Sequence, residues 1–346
     1  MNKIQTEDCR LIGKQEFIKW EELRNKTVLI TGSTGLIGSN LVNILAYNSI
    51  HKGLNIQFIL PVRNTEAANK MFSWTNAQIF SYSLGDRILS DKPADYIVHL
   101  ASPTSSRFFS ENPSETILMN VEGITALLDW AKGHPVQKFI DLSSMEVYGF
   151  PQKGHKVKEN ELGSFETMNA RNSYPIAKLS GEALCYSYFS QYHVPAVVLR
   201  ATQTFGPGVR YDDNRVFAQF MRCVIEKKNI ILKSHGLTER PYLYTADAAS
   251  AIIVAMLKGV PGEAYSVANR ATYISIRDMA NMVAEKIAKK QITVEYEIEE
   301  NVEKLGYAST LYLDLDTTKM EILQWKPLVG LKEMYERMIE GIEKTV

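Results

Sequence analysis

Thr27-Val28-Leu29-Ile30-Thr31-Gly32-Ser33-Thr34-Gly35-Leu36-Ile37-Gly38 joins a β-branched run to a glycine-punctuated turn, after which Leu36, Ile37, Leu41, Val42 and Leu45 recur at helical spacing. A strand that feeds a helix through three glycines can turn tightly and approach a pyrophosphate, whose charge then sits at the helix N-terminus. A glycine triplet alone is weak evidence; the strand before it and the helix after it supply the confirming context. Gly32, Gly35, Leu36, Ile37 and Gly38 are therefore candidate cofactor contacts.

Working outward, short β-branched runs alternate with longer helical stretches beyond residue 26, as in a parallel sheet covered on both faces. Strands are predicted over 27–31, 55–60, 96–100, 138–142 and 196–200, and Ile117, Val121, Ile124, Leu127 and Leu128 mark a helix between the third and fourth. The expected fold class is α/β, a Rossmann doubly wound parallel sheet with a smaller, discontinuous C-terminal substrate lobe. After Arg200 the rhythm breaks into turn-rich stretches such as Gly206-Pro207-Gly208 and Lys258-Gly259-Val260-Pro261-Gly262. Residues 26–200, with a return segment near 240–270, are assigned to the NAD(P)-binding domain, and 201–239 with 271–346 to the substrate lobe. Residues 1–25 form an N-terminal extension, read as an extra helix packed on the surface.

The 346 residues suffice for one such domain with an appended lobe. Lys+Arg and Asp+Glu both number 39, so no global field favours nucleic acid or an anionic membrane, and a small-molecule substrate fits better. Cys9, Cys185 and Cys223 are scattered and odd in number, which points to a reducing cytoplasm. The N-terminus has no apolar signal-peptide core and no run of about 18 apolar residues occurs, so a soluble cytoplasmic protein is expected. His99 lies on a predicted buried strand and is read as packed. His51, His134, His155, His193 and His235 show no zinc spacing, and no metal is expected.

Tyr174-Pro175-Ile176-Ala177-Lys178 carries the strongest chemical signal. Positions i and i+4 share a helix face, so the ammonium can lie near the phenol and stabilise its phenolate. A free phenol, with a pKa of about 10, is a poor base at neutral pH; lowering that value makes it useful. At the end of the second strand an acid would bind the adenosine ribose 2′-hydroxyl, yet the chain reads Leu60-Pro61-Val62-Arg63-Asn64. Arg63 either pairs with a 2′-phosphate, favouring NADP over NAD, or is a solvated surface arginine.

The spacing of the glycine turn, the Tyr174/Lys178 pair and Ser143-Ser144-Met145-Glu146-Val147-Tyr148-Gly149 together resemble the extended short-chain dehydrogenase/reductases, specifically the NAD-dependent epimerase/dehydratase family, from residue 26 nearly to the end. The resemblance implies that Ser144 hydrogen-bonds the substrate oxygen, that Tyr174 takes its proton, and that Lys178 tunes Tyr174 and holds the nicotinamide ribose. It also implies that Asp86 contacts the adenine, that Leu100, Ala101 and Ser102 run under the dinucleotide, and that Asn120 orders backbone and water. Relatives resembling dTDP-glucose dehydratases carry an Asp-Glu pair where Met145-Glu146 stands. A thioether cannot protonate a departing hydroxyl, so Glu146 is either the base of a second step or a capping or salt-bridging carboxylate.

Arg200-Ala201-Thr202-Gln203-Thr204-Phe205-Gly206-Pro207-Gly208 resembles a substrate segment in which Gln203 replaces the usual diphosphate-contacting Asn. Arg240 would be the diphosphate clamp and Arg215 the second candidate, because a guanidinium fork matches phosphate oxygens; either could instead hold a surface carboxylate. The basic residues that decarboxylase-like members carry before their closing segment are absent from 305–312. The resemblance implies a nucleotide-diphosphate sugar as substrate and a homodimer through the helices holding 117–128 and 174–192. Epimerisation through transient oxidation of a sugar hydroxyl demands the fewest special groups and is the expected activity. Dehydration or decarboxylation through Glu146 and NADPH-dependent keto-sugar reduction are the alternatives.

Overall fold

The structure is a computed structural model and describes all residues except 89, 91, 104–105, 300–309 and 344–346. Seven parallel strands form its main sheet: β1 (Thr27–Thr31), β2 (Gln57–Val62), β3 (Ala77–Ser81), β4 (Tyr96–His99), β5 (Lys138–Ser144), β6 (Ala196–Ala201) and β7 (Ala264–Val267). Their spatial order is β7-β6-β5-β4-β1-β2-β3, so the order reverses at β1/β4, where doubly wound sheets open a crevice for ligand. The predicted second strand begins two residues too early: Asn55 has φ +56°, a left-handed turn residue that cannot extend the strand. β3 and β7 were absent from the expected strands. β3 is an edge strand with no fully buried residue, and β7 is a four-residue run directly behind the turn at Gly262.

Alternation along the strands supplies two cores. Val28, Ile30, Val98, Ile140, Val197 and Leu199 face one side of the sheet, and Leu29, Ile97, Phe139 and Val198 face the other. The first core is covered by α2 (Leu36–Lys52) and α5 (Thr245–Lys258), the second by α3 (Pro113–Lys132) and α4 (Ser173–Tyr192). Pro113 opens α3 at a position whose N–H has no helical partner, and Gly53 closes α2 in the left-handed conformation at φ 62°. A three-stranded sheet stands beside the C-terminal edge, with Glu239–Tyr244 in its centre, parallel to Gln203–Phe205 and antiparallel to Asn269–Ser275.

The N-terminal extension does form a helix, α1 (Lys3–Gly13), started by a capping box between Asn2 and Gln5, but it is not merely laid on the surface. Cys9 and Ile12 enter the first core, and Ile4 is buried as well. Asp8, 1% exposed, pairs with Arg337 of α6 (Leu331–Glu343) at 2.7 Å and accepts a hydrogen bond from the Tyr244 hydroxyl at 2.8 Å. Chain start, chain end and the central strand of the small sheet are thus tied together by one buried polar cluster.

Candidate active site

The C-terminal edge of the main sheet carries the glycine turn after β1, Arg63 after β2, Leu100-Ala101-Ser102 after β4, the serine pair ending β5 and Gln203 after β6. Gly32 has φ +68°, and a Cβ there would come within 2.7 Å of the Ala101 nitrogen; one on Gly38 would collide with the Gly32 carbonyl oxygen. No side chain caps the first turn of α2, and the buried Ser33 hydroxyl has no partner among the described residues. Unclaimed N–H groups at a helix N-terminus, a close glycine turn and an orphaned hydroxyl fit the pyrophosphate of a dinucleotide.

Around this cradle the expected contacts take distinct positions. Ala101 donates its N–H to the Thr31 hydroxyl at 3.4 Å, which seats residues 100–101 against the glycine turn. Ser102 donates to the Asn120 side-chain oxygen at 2.8 Å, and Asn120 donates to the Thr116 carbonyl at 2.7 Å, so Asn120 braces the loop from α3. Asp86 is exposed and accepts the Ser83 N–H at 2.7 Å, closing its own loop. Arg63 is exposed, and its guanidinium has no hydrogen-bond or ion-pair partner among the described residues. His99 bonds the Thr31 hydroxyl at 2.8 Å inside the sheet, where burial pushes its pKa down to about 3.

The two serines ending β5 point to opposite sides, as successive strand residues must. Ser143 donates to Glu182 at 2.5 Å, and Glu182 is gripped by Arg200 through contacts of 2.6, 3.0 and 3.1 Å. Ser144 instead faces the Tyr174 phenol and caps the next turn by accepting the Glu146 N–H at 3.2 Å. Tyr174 is buried and stacked on Phe109, ring centroids 4.2 Å apart. Burial raises its pKa well above the usual phenol range; the Glu146 carboxylate raises it further, while Ser144 and Arg171 pull it back.

Lys178, also buried, donates to the Leu142 carbonyl at 3.0 Å. Burial lowers its pKa, and the Asp141 and Glu182 carboxylates act against that. Glu146 is paired with Arg171 at 3.0 Å. Beside it the buried Met145 sulfur lies 3.2 Å from the Thr202 hydroxyl oxygen, whose single proton is donated to the Pro241 carbonyl at 2.6 Å. The sequence reading missed Arg171, Phe109 and Thr202. Arg171 stands three residues before Tyr174, a visible cation whose partner only the fold supplies.

On the substrate side, Gln203 pairs in register with Tyr242, two residues beyond Arg240 on the neighbouring strand. The buried Nε of Arg240 has no partner among the described residues, and its guanidinium lies 5.7 Å from the Tyr242 ring centroid. Arg215 is already engaged, by Asp213 at 2.6 Å, and lies against Phe217. Part of the 305–312 stretch, residues 305–309, lies outside the described residues. Among the described residues no group of three or more His, Cys, Asp or Glu could hold a metal ion, and no helix is long and apolar enough to cross a membrane.

Comparison with known proteins agrees with this arrangement. The profile of the NAD dependent epimerase/dehydratase family matches residues 28–268. Human dTDP-D-glucose 4,6-dehydratase is 27% identical over 330 residues, 93% of this chain and 89% of that protein. UDP-glucuronic acid decarboxylase 1 of Arabidopsis thaliana is 27% identical over 92% of this chain and 70% of its own length. Among solved structures, a UDP-N-acetylglucosamine 4-epimerase from Methanobrevibacter ruminantium shares the fold with a TM-score of 0.78 at 22% identity, covering 93% of this chain and all of that one. The glycine cradle, the serine, tyrosine and lysine gathered at one sheet edge, and a family match over most of the chain lead to one conclusion: the protein is an enzyme of the NAD-dependent epimerase/dehydratase family.

Proposed function

We propose that the enzyme is a nucleotide-sugar epimerase that works through transient oxidation of a sugar hydroxyl. Tyr174 takes the proton of that hydroxyl, Ser144 holds the same oxygen, and Arg240, with its unpartnered Nε, clamps the diphosphate, with Gln203 nearby and Arg215 as a weaker second contact. The turn from Gly32 to Gly38 would hold NAD(P), which would supply reversible hydride chemistry at the sugar carbon. Lys178 and Asn120 complete the cofactor wall, and the unengaged Arg63 favours NADP. Residues 26–200 with the return near 240–270 serve the cofactor, and 201–239 with 271–346 the sugar.

One observation carries the choice among activities: the Met145-Glu146 pair holds neither a free acid nor a free base. Met145 has no proton to give and is buried against Thr202, while Glu146 is tied to Arg171. Elimination would have to break that ion pair and find another acid. The position of Glu146 beside Tyr174 favours the second reading, dehydration or decarboxylation, the activities named for the human and Arabidopsis relatives.

Turnover of UDP-, dTDP-, CDP- and GDP-sugars in deuterated water separates these. A new epimer without solvent deuterium supports the proposal. Deuterium beside the former ketone, with loss of water or carbon dioxide, replaces it by the second reading, and stoichiometric NADPH consumption would make the enzyme a reductase. Ile117 and Leu118 on α3 and Tyr186 and Tyr192 on α4 leave large apolar side chains exposed, and we assign this face to a homodimer, testable by light scattering.

A further inference from the structure

A buried base cannot work beside an unscreened carboxylate. Tyr174 must lose its proton at neutral pH, yet Glu146 stands in the same pocket and Asp141 lies on the strand beneath. The charged groups around the phenol come from every neighbouring element: Asp141 from β5, Glu146 from the turn Met145–Tyr148, Lys178 from its own helix and Arg171 from the turn Ala170–Asn172. Phe109, from the helix Ser106–Glu111, adds an uncharged ring on the face of Tyr174. The Lys178 ammonium is turned to the Leu142 carbonyl and interacts with Asp141 and Glu182.

Arg171 is arranged differently. Its Nη1 meets Glu146 at 3.0 Å, and its guanidinium lies 5.6 Å from the centroid of the Phe109 ring that stacks on Tyr174. Both members of the pair remain about a third exposed, at 32% and 28%, so the contact faces solvent rather than the core. We propose that Arg171 is a positioning residue, fixing the Glu146 carboxylate at the mouth of the pocket and screening the Tyr174 hydroxyl from it. The proposal rests on the assignment of Tyr174 as the base. It gives Glu146 and Arg171 one joint role: a carboxylate lines the sugar site while the neighbouring phenol keeps its ability to ionise.

The test reads the phenol directly. With the protein loaded with whichever of NAD and NADP it binds, phenolate absorbance near 295 nm is titrated from pH 6 to 11, and the same titration of Tyr174→Phe is subtracted to leave one tyrosine. Arg171→Met raises the midpoint by on the order of one pH unit. Arg171→Lys, which keeps a cation, stays near the parent value, and Glu146→Gln added to Arg171→Met brings the midpoint back, because the charge to be screened is gone. A midpoint that Arg171→Met moves by less than about 0.3 unit overturns the proposal. So does a double variant that stays shifted, or a parent protein whose Tyr174 never ionises in this range. Turnover of Tyr174→Phe on the nucleotide-sugar panel judges the functional reading separately: full activity there removes the base assignment whatever the titration of Arg171→Met gives.

Discussion

Two arginine–glutamate pairs flank Ser143-Ser144, and they differ in nearly everything but chemistry. Arg200–Glu182 lies behind the sheet with side chains 5% and 9% exposed. Its carboxylate is saturated by Ser143 and two guanidinium nitrogens, and Arg200 also donates to the Glu159 carbonyl at 2.6 Å and the Tyr148 hydroxyl at 3.3 Å. Arg171–Glu146 is a single contact at the pocket mouth, open to water. A dry, saturated pair holds geometry, since desolvation makes any rearrangement costly. A wet pair with one contact adds little to stability, and its value lies in where it holds the carboxylate and in the field it sets.

The sharpest way to break this contrast is to remove one arginine from each pair. Arg200→Met strands a buried carboxylate and costs about 3–5 kcal/mol of stability in urea unfolding, whereas Arg171→Met changes stability by less than about 1 kcal/mol. Equal losses would show that exposure does not separate the two pairs. Tyr174→Phe comes next. It leaves the melting transition nearly in place and lowers turnover by roughly 10²–10⁴-fold, the range for losing a general base. Activity within threefold of the parent enzyme would remove the phenol from the chemistry.

The contrast also marks where sequence reading stops. The glycine turn was legible because strand, turn and helix are contiguous, and the Tyr174/Lys178 spacing because helical periodicity is local. Strand edges were read less well: the left-handed Asn55 looks like any polar residue before an apolar run. Partnerships across the chain carry no local signal. Asp8 meets Arg337 and Asn40 reaches the Pro207 carbonyl only because the sheet brings distant segments together. Glu146 could be read as a salt-bridging carboxylate, but nothing in its vicinity named Arg171, which a loop of more than twenty residues returns to it.

A third prediction concerns the scaffold side alone. Asp247, fully buried at the start of α5, accepts the N–H groups of Leu328 at 3.0 Å and Val329 at 3.1 Å, and burial still pushes its pKa up to about 7. The native state therefore keeps this proton where the unfolded chain, near 3.8, has lost it. Its contribution to stability is complete below the unfolded value and disappears as pH rises through about 7. Unfolding free energy should accordingly rise by roughly 2 kcal/mol between pH 7.5 and pH 5, and Asp247→Asn should flatten that slope. An unchanged slope in the variant would place the titrating group elsewhere, with Asp8 and Asp141, both pushed up to about 6, next to be examined.

The smallest effects discriminate best, because they fall on adjacent residues of identical chemistry. Ser143→Ala takes one donor from Glu182 but leaves Arg200 in place, so it costs about 1 kcal/mol of stability and leaves turnover unchanged. Ser144→Ala removes a hydroxyl that faces Tyr174 and caps the turn carrying Glu146. Its stability loss is similar or smaller, but turnover falls about tenfold, the equivalent of one neutral hydrogen bond to the reacting oxygen. Only orientation across the sheet distinguishes the two residues, and a one-residue register slip would exchange their roles. If Ser143→Ala were the variant to lose activity, the pair behind the sheet would be the reactive one and the assignment of the pocket would have to be inverted. If both lost activity equally, dry and wet sides would be coupled through β5, and Asp141, which lies between Lys178 and Glu182, would be the residue to substitute next.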